Sequence, residues 1–187
     1  GGSYTTDGLI DGQECIGFIG CGAIIRKTVI DEVGGFADWM FLYTHEFEYA
    51  LRCVDRGFRI RYFARCVVRH RASPLHRVTR RVVTHSVRNE LLIVSKYFGK
   101  QRRTYLVRTF VHHLLRHRRD GVSALLNVFE GLWMYLRNPV RKLRTPVRAE
   151  TQDRYTATFS TTQPLWPLLG RSLKRRLGVR GARVGPS

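Results

Sequence analysis

The segment His45-Glu46-Phe47-Glu48-Tyr49-Ala50-Leu51-Arg52 holds the acids best placed for proton chemistry in this chain. Glu46 falls in the first turn of an expected helix, where the macrodipole favours the ionised carboxylate that can accept a proton. Upstream, Gly20-Cys21-Gly22-Ala23 is a run of small residues where the backbone can turn or approach a ligand closely. A carboxylate at a helix start facing such a loop is a place for a general base; the competing role for Glu46 is only to favour the helix terminus. Glu48 and Arg52 are spaced i, i+4 with the acid first, which suits a helix-surface ion pair of roughly 0.2–0.5 kcal/mol. His45 either contacts a substrate or merely precedes the helix.

Metal chemistry is less well supported. Cys66 and His70, joined by Cys53 or Cys21, could offer thiolate and imidazole to zinc, but the closely spaced cysteine pair of a zinc knuckle is missing. His113 and His117 share a helix face at i, i+4, yet Arg116, Arg118 and Arg119 beside them repel a cation. That face reads as basic and solvated. The four cysteines, with no short paired spacing and no secretory signal, read as buried free thiols in a reducing cytoplasm.

The elements that must position these groups follow from periodicity. Cys15 to Ile19 reads as a buried strand ending at Gly20. Arg26 to Val33 reads as a short helix with Val29, Ile30 and Val33 on one face, stopped by Gly34-Gly35. From Glu46, apolar Phe47, Ala50, Leu51 and Val54 fall at i, i+3, i+4 and i+7, and Gly57 ends that helix. Arg59 to Phe63 and Cys66 to Val68 read as short strands. Beyond Pro74 the spacing predicts three helices, over Val83 to Phe98, Thr104 to His117 and Gly121 to Leu136, the last being the most apolar. Three regions result: 1–73, an α/β unit; 74–139, a basic helical extension; and 140–187, a basic tail that reads as disordered except for a short helix over 168–177.

Charge separates the two ends. The 187 residues carry a net +19. Residues 1–70 hold 8 Lys/Arg and 9 Asp/Glu, whereas residues 71–187 hold 25 Lys/Arg and 5 Asp/Glu. A polycationic half suits an anionic membrane surface or nucleic acid; the 28 Arg against 5 Lys could equally reflect a GC-rich coding sequence. The aromatics lie in apolar stripes and no nucleic-acid-binding signature is visible, so nucleic acid is not the expected partner. No apolar run reaches the roughly 18–20 residues of a membrane span.

The order of these signals (the Phe18-Ile19-Gly20-Cys21-Gly22-Ala23 strand end, the Gly34-Gly35-Phe36 turn, the acidic helix start at His45, and Val67-Val68-Arg69-His70) resembles the acceptor half of family 2 glycosyltransferases, the inverting GT-A enzymes. Val87-Arg88-Asn89-Glu90-Leu91 with Lys96-Tyr97-Phe98 also looks like the Arg-Asn helix that follows the catalytic domain in bacterial members. The resemblance implies an α/β, partial GT-A fold lacking its N-terminal nucleotide-binding half, followed by an α-helical extension. It implies transfer of a sugar, with inversion, from a UDP- or dTDP-linked donor to a cell-wall, polysaccharide or lipid-linked acceptor, on the cytoplasmic face of the membrane. An ungapped match on Leu51-Arg52 puts Glu46 at the catalytic base, with His45 where the family commonly has Glu and Glu48 at a later acid. It further implies that Gly20 and Gly22 leave room for sugar, that Trp39 is either a sugar-stacking platform or core, and that His70 helps hold a divalent metal, Mg or Mn. The main metal ligands, an Asp-x-Asp motif, would lie upstream. A non-catalytic module binding anionic lipid or nucleic acid is the other reading of the same chain.

Overall fold

Apolar residues at helical spacing set most of the architecture. The computed structural model describes residues 8–69, 79–159 and 162. Among them β1 (Glu14–Cys15) pairs antiparallel with β2 (Ile60–Arg61), Glu14 opposite Arg61 and Cys15 opposite Ile60. Six α-helices carry the rest: α1 (Lys27–Val33), α2 (His45–Asp55), α3 (Thr79–Tyr97), α4 (Arg102–His117), α5 (Val122–Arg137) and α6 (Ala149–Thr158), with a 3-10 turn at Pro139–Lys142.

This overturns the expected α/β, partial GT-A fold. The described residues are 58% helix and contain only the two-stranded sheet. The physical reason lies in what a strand requires. β-Branched and aromatic residues suit a pleated surface, but a strand exists only if its backbone groups find a ladder partner. Cys66 to Val68 finds none; Val67 and Val68 are exposed, and of Cys15 to Ile19 only Cys15 joins the sheet. The expected short helix forms over 27–33 and has no fully buried residue.

Two apolar clusters hold the helices together. One draws Leu51 and Val54 of α2, Ile93, Val94, Tyr97 and Phe98 at the end of α3, and Tyr155 of α6 into a single core. The other joins Val83, Val87, Leu91 and Leu92 of α3 to Val128 and Tyr135 of α5. Thus α3 has a double role: its first half packs on α5 and its last half on α2. The α3–α5 approach is close, since a Cβ placed on Gly131 would come 2.7 Å from both the Thr84 carbonyl oxygen and Val87 Cβ.

Part of the expected disordered tail is folded. α6 buries Thr151, Gln152 and Tyr155. Gln152 closes the α3–α4 turn: its Oε1 accepts from the Gly99 and Lys100 amides at 2.9 and 3.1 Å, and its Nε2 donates to the Lys100 carbonyl at 2.9 Å. The Arg148 amide donates to Asp55 Oδ1 at 2.7 Å, tying α6 to the end of α2. The short helix expected over 168–177 lies outside the described residues. Among the described residues no helix is long and apolar enough to cross a membrane.

Candidate active site around Glu46

The site is built on an unusual approach to α2. Leu42, Tyr43 and Thr44 follow one another with φ of 48°, 59° and 59°, left-handed conformations that non-glycine residues avoid. Thr44 then starts the helix, its carbonyl accepting from the Phe47 and Glu48 amides at 3.1 and 3.2 Å.

What holds this loop is on α3. Asn89 is fully buried, and its Nδ2 donates to the carbonyls of Phe41, Leu42 and Tyr43 at 3.3, 2.7 and 2.9 Å. Arg88 Nη1 donates to Asn89 Oδ1 at 2.9 Å, which fixes the amide with its NH2 toward the loop, and Arg88 Nη2 reaches the Trp39 carbonyl at 2.7 Å. Only this orientation of the amide pairs an acceptor with the guanidinium and a donor with the carbonyls. The Arg-Asn pair is therefore a backbone clamp on the segment that delivers α2.

The two acids of α2 have opposite fates. The Glu48 side chain is 1% exposed, bound through Oε1 and Oε2 to Arg52 Nε and Nη2 at 2.8 and 3.0 Å and accepting from the Tyr97 hydroxyl. Arg52 continues to the carbonyls of Val33 and Gly35, each at 2.7 Å, pinning the Gly34-Gly35 turn to α2. The pair expected on a helix surface is thus an interior junction, covered because Tyr97 of α3 packs over it. Burial, followed by the Glu48 charge, pushes the Tyr97 phenol well above its usual range, so it stays a donor. Burial likewise pushes the neighbouring Cys53 thiol up to about 11.

Glu46 remains open. Its side chain is 21% exposed, and its ionic neighbour is His45, whose Nε2 is 3.5 Å from Glu46 Oε1. His45 Nδ1 is buried without a hydrogen-bond partner among the described residues, and its ring stands edge-on to Phe36 with centroids 5.4 Å apart. Gly20 faces the carboxylate: a Cβ there would meet Glu46 Oε1 at 2.9 Å. Gly22, at φ 108°, would place a Cβ 3.2 Å from Val68 Cγ2, so it serves the chain's own turn and packing. Three of the expected site residues, Gly20, His45 and Glu46, are therefore brought together. Trp39 instead is partly buried and packs against both apolar clusters, the core alternative of its two. His70 lies outside the described residues.

The described residues contain no group of three or more His, Cys, Asp or Glu that could hold an ion. All four cysteines are free, Cys15 and Cys53 buried and Cys21 and Cys66 exposed. His113 is buried, not solvated, with Nε2 3.0 Å from Glu90 Oε2, while His117 Nδ1 lies 2.8 Å from Asp120 Oδ2.

The arrangement offers a carboxylate at a helix start, beside an imidazole, across from bare glycine backbone. It can accept a proton from a hydroxyl brought between these groups. Sequence reasoning found these three residues but not the clamp that holds them; the signal was the adjacent Arg88-Asn89, polar residues between Val87 and Leu91 that are buried although they lie off the apolar stripe. Comparison with protein-family models, with curated proteins and with solved structures found no match to the chain.

Proposed function

We propose that Glu46 is the general base of a sugar transfer and that this chain is part of an inverting glycosyltransferase. The acceptor O–H bond breaks as its proton passes to Glu46, and the oxygen attacks the anomeric carbon of a UDP- or dTDP-sugar. The carbon–oxygen bond to the diphosphate breaks with its electron pair leaving on phosphate, and the anomeric centre inverts. The acceptor is a glycan or lipid-linked glycan, and the reaction runs on the cytoplasmic side. The observation that carries this reading is the approach of Gly20 to Glu46, a carboxylate kept open where its neighbour Glu48 is sealed. His45 stands where it can hydrogen-bond that carboxylate or the acceptor. A non-catalytic binding module, the reading that the basic half favours, does not account for this pairing.

The test is sugar transfer by the full-length protein with Glu46→Gln and Glu48→Gln compared. Glu46→Gln keeps size but not proton affinity, and should lower turnover by about 10²–10⁴-fold, the usual worth of a general base, with donor affinity and thermal stability near wild type. Glu48→Gln should lose stability, since it leaves partly buried Arg52 without its charge partner. Full turnover by Glu46→Gln would overturn the assignment.

A further inference from the structure

One face of α5 is apolar and, among the described residues, exposed. Val122, Leu126, Phe129, Trp133 and Leu136 recur at alternating steps of four and three along the helix and are between 48% and 74% exposed. The opposite face, Ala124, Val128, Gly131 and Tyr135, is buried. The stripe widens onto α4, where Val107 is exposed and the Phe110 ring meets Phe129 edge-on at 5.8 Å. Isolated exposed apolar residues need no explanation, but a continuous stripe across two helices marks an interaction surface.

Charge decides what covers it. Residues 101–142 hold 9 Lys/Arg and 2 Asp/Glu. Both acids are already engaged: Glu130 with Arg80 at 2.5 Å and Asp120 with His117 at 2.8 Å. The cations flank the stripe, with exposed Arg118 and Arg119 just before α5 and Arg137, Arg141 and Lys142 at its end. The Arg137 guanidinium lies 4.1 Å over the Trp133 ring, joining the charged rim to the apolar strip. A second copy would bring like-charged rims together. A nucleic acid would leave the aliphatic residues without partners. An anionic lipid surface satisfies both, taking Leu126, Phe129 and Trp133 among acyl chains and the arginines at headgroup phosphates. From Val122 to Leu136 the helix runs roughly 21 Å at about 1.5 Å per residue, so it lies along such a surface and is too short to cross it.

We propose that the exposed stripe of α5, with its arginine rim, docks the protein on an anionic lipid bilayer. The surface is on other helices than Glu46 and is read without any sugar transfer, so the two assignments stand or fall separately. The experiment is co-sedimentation of the full chain with vesicles of phosphatidylcholine alone and with phosphatidylglycerol mixed in. Wild type should prefer the anionic vesicles and release as salt is raised. Leu126→Glu/Trp133→Glu, both at exposed positions, should bind about 100-fold more weakly, about tenfold for each apolar group withdrawn, with an unchanged circular dichroism spectrum. Should that variant lose its fold, Arg137→Glu/Arg141→Glu at the rim must lose the preference for anionic vesicles. Equal binding to both vesicle types would overturn the proposal, as would undiminished binding by the stripe variant. So would a chain that ignores vesicles but self-associates through the stripe, or one that binds oligonucleotides in preference to lipid.

Discussion

Replacing Asn89 by alanine tests whether the loop before α2 is held or merely happens to be bent. Three consecutive left-handed residues, Leu42, Tyr43 and Thr44, cost roughly 1–2 kcal/mol each, about 3–6 kcal/mol together. The two N–H groups of the Asn89 amide, shared among three carbonyls, contribute about 0.5–1.5 kcal/mol per bond, roughly 1–3 kcal/mol in all. The strain thus exceeds what the amide contributes, and removing the clamp lets the loop relax and recover part of that strain. Asn89→Ala should therefore destabilise the fold by only about 1–3 kcal/mol in urea unfolding, while the start of α2 shifts much more. Hydrogen exchange should quicken at the Phe47 and Glu48 amides, which depend on the Thr44 carbonyl, and sugar transfer should fall further than stability does. Adding Leu42→Gly, which tolerates the left-handed conformation, should restore about 1 kcal/mol. A stability change within about 0.5 kcal/mol, together with unaltered exchange over 41–48, would refute the clamp.

Two further outcomes probe the helical body. Gly131→Ala pushes a methyl against the Thr84 carbonyl and Val87, each 2.7 Å from the new Cβ; overpacking of about 1–3 kcal/mol should outweigh the roughly 1 kcal/mol gain in helix propensity, so a more stable variant in denaturant titration would show that α3 and α5 do not meet there. His112 is held down to about 4 by burial and then by neighbouring His113, against about 6.5 in an unfolded chain. The unfolded chain takes up this proton first as pH falls, so the stability His112 contributes is full above about 6.5 and lost toward about 4. His112→Gln should flatten the dependence of melting temperature on pH in that window, and an unchanged slope would count against a neutral buried imidazole.

The sequence showed these helices where burial follows one apolar stripe. Phe47, Ala50, Leu51 and Val54 announced α2, and Val87, Leu91, Val94 and Phe98 announced α3, because a period near 3.6 is a local property that neighbours cannot hide. Strands were misread because pairing is not local: nothing in Cys66-Val67-Val68 says whether a partner exists. α6 was missed for the opposite reason. Two of its buried residues, Thr151 and Gln152, are polar, and polar residues leave no hydrophobic period even when they close a turn, as Gln152 does.

The site divides along the same line. Glu46, His45 and Gly20 could be singled out because a helix start and a glycine pair are written in adjacent residues. Which of two acids stays open could not be read there, since an i, i+4 pair such as Glu48–Arg52 looks the same on a surface as in a core. The difference is made by Tyr97, on α3, whose hydroxyl closes over Glu48, and by Asn89, a few residues before it on the same helix. One helix therefore does two things to α2: its end seals the acid that braces the Gly34-Gly35 turn, and its middle bends the loop that presents the other acid to Gly20. The helical extension is then part of the site's construction rather than an appendage to it, and a change in α3 that spares the fold should still be felt at Glu46.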